Sequence, residues 1–124
     1  MRTFKYRNFN DWAEYERISD QTLLKAVKEL NAGLFDANLG GGLYKKRVPR
    51  KGQGKRGGYR VLLAFKQDKH TFFLHGFAKN QQENISDDEK GIYLKLADRL
   101  LTMNERELKE WLVKNKLIEV VYED

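Results

Sequence analysis

Two apolar runs, residues 59–67 and 70–79, parted only by Asp68 and Lys69, constrain this chain more than any other feature. In the first run Tyr59, Val61, Leu63 and Phe65 recur at every second position, which is the period of a strand. Two such runs two residues apart predict an antiparallel hairpin. One face of the resulting sheet needs helices to cover it.

Helical spacing is present on both sides of the hairpin. Residues 3–7 alternate, with Phe4 and Tyr6 set against Lys5 and Arg7, and read as a first strand. Asn10 is placed to cap a helix carrying Phe9, Trp12 and Ala13. A second helix starts near Ser19 or Asp20; Leu23, Val27 and Leu30 form its stripe, widened by Leu24 and Ala26, and Gly33 is its C-cap. Residues 36–42 read as a loop ending in three glycines, 42–48 as a strand stopped by Pro49, and 50–58 as a basic, glycine-rich loop. Beyond the hairpin, Ser86 and Glu89 match a capping box. The helix it opens has Ile92, Leu96 and Leu100 as its stripe, with Tyr93, Ala97 and Leu101 beside it. Asn104 caps a last helix with Leu108, Trp111 and Leu112, and residues 117–122 make a final strand. The expected fold class is α+β: a single domain over residues 1–124, with a small antiparallel or mixed sheet, two N-terminal helices packed on it and C-terminal helices.

Charge is segregated along the chain. Residues 45–79 carry eleven lysines and arginines against the single acid Asp68, a net +10, while the whole chain carries only +6. Ordinary solvated faces mix the two signs. This segment therefore points to a polyanionic partner, which it would attract and steer. No run is long and apolar enough to cross a membrane, and the N-terminus MRTFKYRNFNDW lacks the apolar stretch of a secretory signal. Cysteine is absent, which removes disulfide and thiolate chemistry. A cytoplasmic protein with no membrane partner is expected.

Within the basic segment, Lys45 and Arg47 are two apart on a strand and project from one face. Arg60 lies between Tyr59 and Val61, which face the other way, so it need not be buried. A guanidinium there offers phosphate a bidentate fork. Lys46, Arg50, Lys51, Lys55 and Arg56 extend the positive surface, and the glycines among them let a ligand approach the backbone. His70 and His75 are five apart, which on a regular strand puts them on opposite faces and excludes a metal pair. His75 then shares a face with Phe73 and Phe77 and reads first as a core or flanking residue, with a general base held in reserve. No acidic cluster lies near the basic segment.

The segment GGLYKKRVPRKGQGKRGGYRVLLAF, followed by FFLHGFAKNQQENIS, resembles the RelE/HigB family of type II toxin–antitoxin toxins, within the RelE/ParE superfamily. The upstream SDQTLLKAVKELNAGLFDANLGGG and the closing LIEV belong to the same likeness. The resemblance implies a microbial-RNase-like fold and a metal-independent mRNA endoribonuclease that works in the ribosomal A site, with no metal and no cofactor. It implies a cognate antitoxin, mRNA and the ribosome as partners, and operator DNA only through the antitoxin complex. It assigns Lys45, Arg47 and Arg60 to the scissile phosphate and Lys79 to an acid or phosphate contact; Asn80 reads first as a strand-terminating turn residue, with orienting Lys79 or contacting the ribose as the functional alternative. Several family members have a tyrosine soon after the last basic site residue; here none occurs before Tyr93, which reads as core. Two alternatives stand beside this reading: a ParE-like toxin acting on DNA gyrase, and a non-catalytic nucleic-acid-binding module.

Overall fold

The computed structural model describes residues 1–50, 54–79 and 84–121, with the backbone alone for 54–56. Its strands are β1 (Thr3–Tyr6), β2 (Ala37–Gly40), β3 (Leu43–Arg50), β4 (Gly54–Ala64), β5 (Thr71–Ala78) and β6 (Leu117–Val120). Its helices are α1 (Arg7–Tyr15), α2 (Asp20–Asn31), α3 (Asp87–Leu101) and α4 (Glu105–Val113). The strands form one mixed sheet in the order β2-β3-β4-β5-β1-β6, antiparallel throughout except for β1 beside β5. No helix among the described residues is long and apolar enough to cross a membrane.

Alternation along β4 sends its side chains to two separate cores. Tyr59, Val61 and Leu63 meet Phe9, Ala13, Leu23 and Leu30 from α1 and α2. Leu62 and Ala64 meet Ala97, Leu100, Leu101 and Leu108 from α3 and α4. The sheet is thus covered on both faces, which explains why the hairpin reads as nearly continuous apolar sequence. Phe4, Phe9, Phe72 and Phe73 are at most 1% exposed, and each such burial contributes roughly 1.5–3 kcal/mol.

Several expectations needed revision. Asn10 caps nothing: α1 starts at Arg7, straight after β1, and Asn10 is buried within the helix. The first helical donor finds another partner, because the Arg7 amide donates to the Lys116 carbonyl at 2.9 Å. Ser19 does cap α2, accepting from the Thr22 amide, and Gly33 follows the C-cap at φ 85°. Pro49 does not end its strand. β3 runs on to Arg50, with an irregularity between Val48 and Arg50 that accommodates a residue lacking an amide donor. Most of the expected basic loop is strand, since β4 begins at Gly54. The Ser86 capping box with Glu89 forms, and the Asn104 cap proves to be a second box, with Glu107. The stripe of α3 is rotated, however: Ile92 is 62% exposed while Ala97, Leu100 and Leu101 are buried.

The revision with most consequence lies in β5. Leu62 pairs with His75 but Leu63 pairs with Phe73, so Leu74 is an extra residue, a bulge. The bulge reverses the alternation. His75 therefore does not share a face with Phe73; it stands with Phe77 on the α3 side. His70 packs against Phe4 and Phe72 on that same side, at the other end of the strand. The expectation of opposite faces fails for this reason.

Candidate nucleic-acid interface

On the α3 side the sheet changes from apolar to basic along its strands. In β3 the face runs Leu43, Lys45, Arg47; in β4 it runs Ala64, Leu62, Arg60. Lys45 stands opposite Leu62, which stands opposite His75. Arg47 stands opposite Arg60, which stands opposite Phe77. Three of the four expected phosphate-handling residues and the reserve histidine are thus gathered by register alone. Lys79 is exposed, the first residue beyond β5.

Arg60 is not a surface arginine. It is 8% exposed, and its Nη1 has no hydrogen-bond partner among the described residues. Burying a guanidinium donor without an acceptor is costly, so the arrangement favours an incoming oxyanion. The Nε2 of His75, on the neighbouring strand, is likewise buried and unpartnered. Burial holds the His75 pKa below its usual value, with Glu89 pulling weakly the other way. The imidazole stacks on Tyr93 of α3, ring centroids 4.9 Å apart. Burial first, and then the nearby Glu89 and Tyr6, raise the pKa of Tyr93.

Two neighbours invisible as site residues in the sequence hold the basic groups. Lys45 Nζ donates to Asn84 Oδ1 at 3.4 Å, the same oxygen that accepts from the Ile85 amide. Arg47 Nε lies 3.0 Å from Asp36 Oδ1, while Asp36 Oδ2 accepts the Arg47 backbone amide. Arg47 is therefore a half-neutralised cation at the rim, whereas the buried Arg60 Nη1 has no hydrogen-bond partner among the described residues.

Other candidates lie elsewhere. Lys46 points to the opposite face, 4% exposed, and its Nζ is bound by Glu29 Oε1 at 3.1 Å and by the Leu34 carbonyl at 2.9 Å. Alternation explains this, and it turns the Lys46 ammonium away from the face that carries Lys45 and Arg60. Lys46→Ala would take away the buried ammonium that binds Glu29 and the Leu34 carbonyl, at a cost of about 2–3 kcal/mol. Thermal melting should show that loss, and RNA affinity of the folded fraction should be unchanged. Arg50 also sits on the α1–α2 side, 5.6 Å over the Tyr59 ring, whose hydroxyl donates to Glu16. Lys51, Asn80 and the side chains of Lys55 and Arg56 lie outside the described residues.

The mixed six-stranded sheet with four helices agrees with one comparison. The family model described as the RelE toxin of the RelE/RelB toxin–antitoxin system matches residues 1–120. That span takes in the whole sheet, from β1 to the last residue of β6, and every helix described above. The chain belongs to the RelE toxin family and is the toxin of a toxin–antitoxin pair, with an antitoxin as its partner.

Proposed function

We propose that this toxin is an endoribonuclease that cuts mRNA on the ribosome, in the A site and without a metal, and so inhibits translation. The observation that carries the reading is the buried Arg60 guanidinium with Nη1 unpartnered, on one face with Lys45, Arg47 and His75. A scissile phosphate placed there would satisfy that donor.

In this scheme His75 accepts the proton of the ribose 2′-hydroxyl. The 2′-oxygen attacks phosphorus, and charge builds on the non-bridging oxygens of the phosphorane. Arg60 and Lys45 meet that charge with preorganised donors, the largest single contribution in reactions of this kind. The bond to the 5′-oxygen breaks, and Lys79 donates the proton that the leaving group needs. The products are a 2′,3′-cyclic phosphate and a 5′-hydroxyl. Arg47 contacts a flanking phosphate from the rim, since Asp36 already takes part of its charge. Arg50 is left out of the chemistry by its place on the other face.

Induced expression with mapping of mRNA 5′ ends tests the function. New ends inside translated frames support it. Growth arrest with intact mRNA would sink it and favour a gyrase-type target, and RNA binding without cleavage would favour a binding module.

The pH profile tests the role of His75. The ring can accept a proton only when neutral, and burial keeps its pKa below the ordinary value of about 6.5. Single-turnover cleavage should stay level from about pH 8 down to about pH 6.5, then fall as the ring protonates. His75→Ala should slow cleavage by roughly a hundredfold and remove that acid limb. An unaltered limb in His75→Ala would assign the proton acceptor elsewhere.

A further inference from the structure

We propose that Tyr93 is a positioning residue for His75: its ring, stacked from α3 onto the imidazole, holds that side chain in place on the basic face. This rests on the reading of His75 as proton acceptor. The two rings are 4.9 Å apart at 25° between planes, while Phe77, the same-strand neighbour, is tilted at 39° and 5.9 Å away. Tyr93 is thus the flat contact of His75.

The other ring contact described, Phe77, is more distant and more tilted. The buried Nε2 makes no hydrogen bond among the described residues, so no polar partner at that nitrogen sets the angle of the ring. A histidine used in proton transfer ordinarily has its second nitrogen fixed by a carboxylate or carbonyl. Here an aromatic surface does the orienting, and offset or parallel ring contacts suit that purpose.

The helix that delivers Tyr93 is itself well fixed. Ser86 Oγ accepts from the Glu89 amide and Glu89 Oε1 accepts from the Ser86 amide, each at 3.1 Å, closing the first turn. One turn beyond Tyr93, Ala97 is fully buried against the sheet. The charged groups around the imidazole come from three elements: Glu89 from α3, Arg60 from β4 and Lys45 from β3. Burial, to which the Tyr93 ring contributes, disfavours the protonated ring, and Glu89 favours it.

The test follows both histidines of the full chain by NMR titration, in wild type, Tyr93→Phe and Tyr93→Ala, with single-turnover cleavage alongside. Tyr93→Phe keeps the stack, and cleavage within about twofold of wild type is expected. Tyr93→Ala opens the ring to water. The His75 midpoint should then move up by on the order of half a pH unit, because desolvation no longer disfavours its charged form. The His70 signals, from the far end against Phe4 and Glu105, report whether the fold stays intact. Cleavage should fall on the order of tenfold, its acid limb moving up with the His75 midpoint.

Loss of cleavage in Tyr93→Phe would overturn the proposal, since it would put the hydroxyl in the chemistry. An unmoved His75 midpoint in Tyr93→Ala would also overturn it. If His75→Ala cleaved at the wild-type rate, the proton-acceptor reading would fall, and the titration shift alone would still decide what Tyr93 does to the ring.

Discussion

Replacing Arg60 by methionine should abolish growth arrest and slow single-turnover cleavage by at least about a hundredfold, yet the variant should melt no lower than wild type. The two results together are diagnostic. Loss of a preorganised donor to a phosphorane costs about two to three orders of magnitude in rate. Stability is different, because Arg60 is buried with Nη1 unsatisfied and gives the free protein little in return. An apolar side chain of similar length in a buried, unpaired cation's place is neutral or stabilising. Arg60→Lys should fail in cleavage as well, since an ammonium cannot present the planar fork. Full cleavage by Arg60→Met would remove the arginine from the reaction. A large fall in melting temperature would make it a structural residue.

Gly76→Ala should cost more stability than a methyl added at Gly40, where the space is open. A Cβ at Gly76 would lie 2.1 Å from Cζ3 of Trp12 and within 2.6 Å of two more indole atoms. The indole cannot easily yield, since it packs against Phe9 on one side and Tyr59 on the other. Overpacking of this kind costs roughly 2–3 kcal/mol, or about 10 °C in melting temperature for a chain of this size. Trp12→Ala should partly rescue it by vacating the space. An unchanged melting curve for Gly76→Ala would mean that α1 does not sit on β5 as described.

The hairpin, the Ser86 capping box, the Asn104 cap and the stripe of α2 were legible in the sequence because each is a local signal. A period of two, a period near four and a hydroxyl three residues before a carboxylate need no tertiary knowledge. The α+β class followed from them, and the family match over residues 1–120 agrees. Errors arose where distant chain decided the outcome. The Lys116 carbonyl, far along the sequence, lets α1 begin without a side-chain cap. Alternation already set Lys46 apart from Lys45 beside it, but its burial was not legible, because Glu29 that binds it comes from α2. Asp36 and Asn84 escaped notice for the same reason: their importance lies in which cation they touch. Arg60 was picked out by its motif, but its burial was not, because that depends on flanking Arg47 and Phe77 across two strands.

The bulge at Leu74 divides β5 into two stretches with opposite phase. Below it, odd-numbered Phe73 serves the α1–α2 core; above it, odd-numbered His75 and Phe77 serve the basic face, and Gly76 turns to Trp12. One added residue therefore lets a single strand be a structural wall at one end and a working surface at the other. Side chains on either stretch can be exchanged without disturbing the other. A one-residue deletion at Leu74 would close the bulge instead of shifting the register: Leu62 opposite His75 and Leu63 opposite Phe73 would become consecutive pairs, and His75, Gly76 and Phe77 would keep their faces while the α3–α4 core lost the Leu74 side chain.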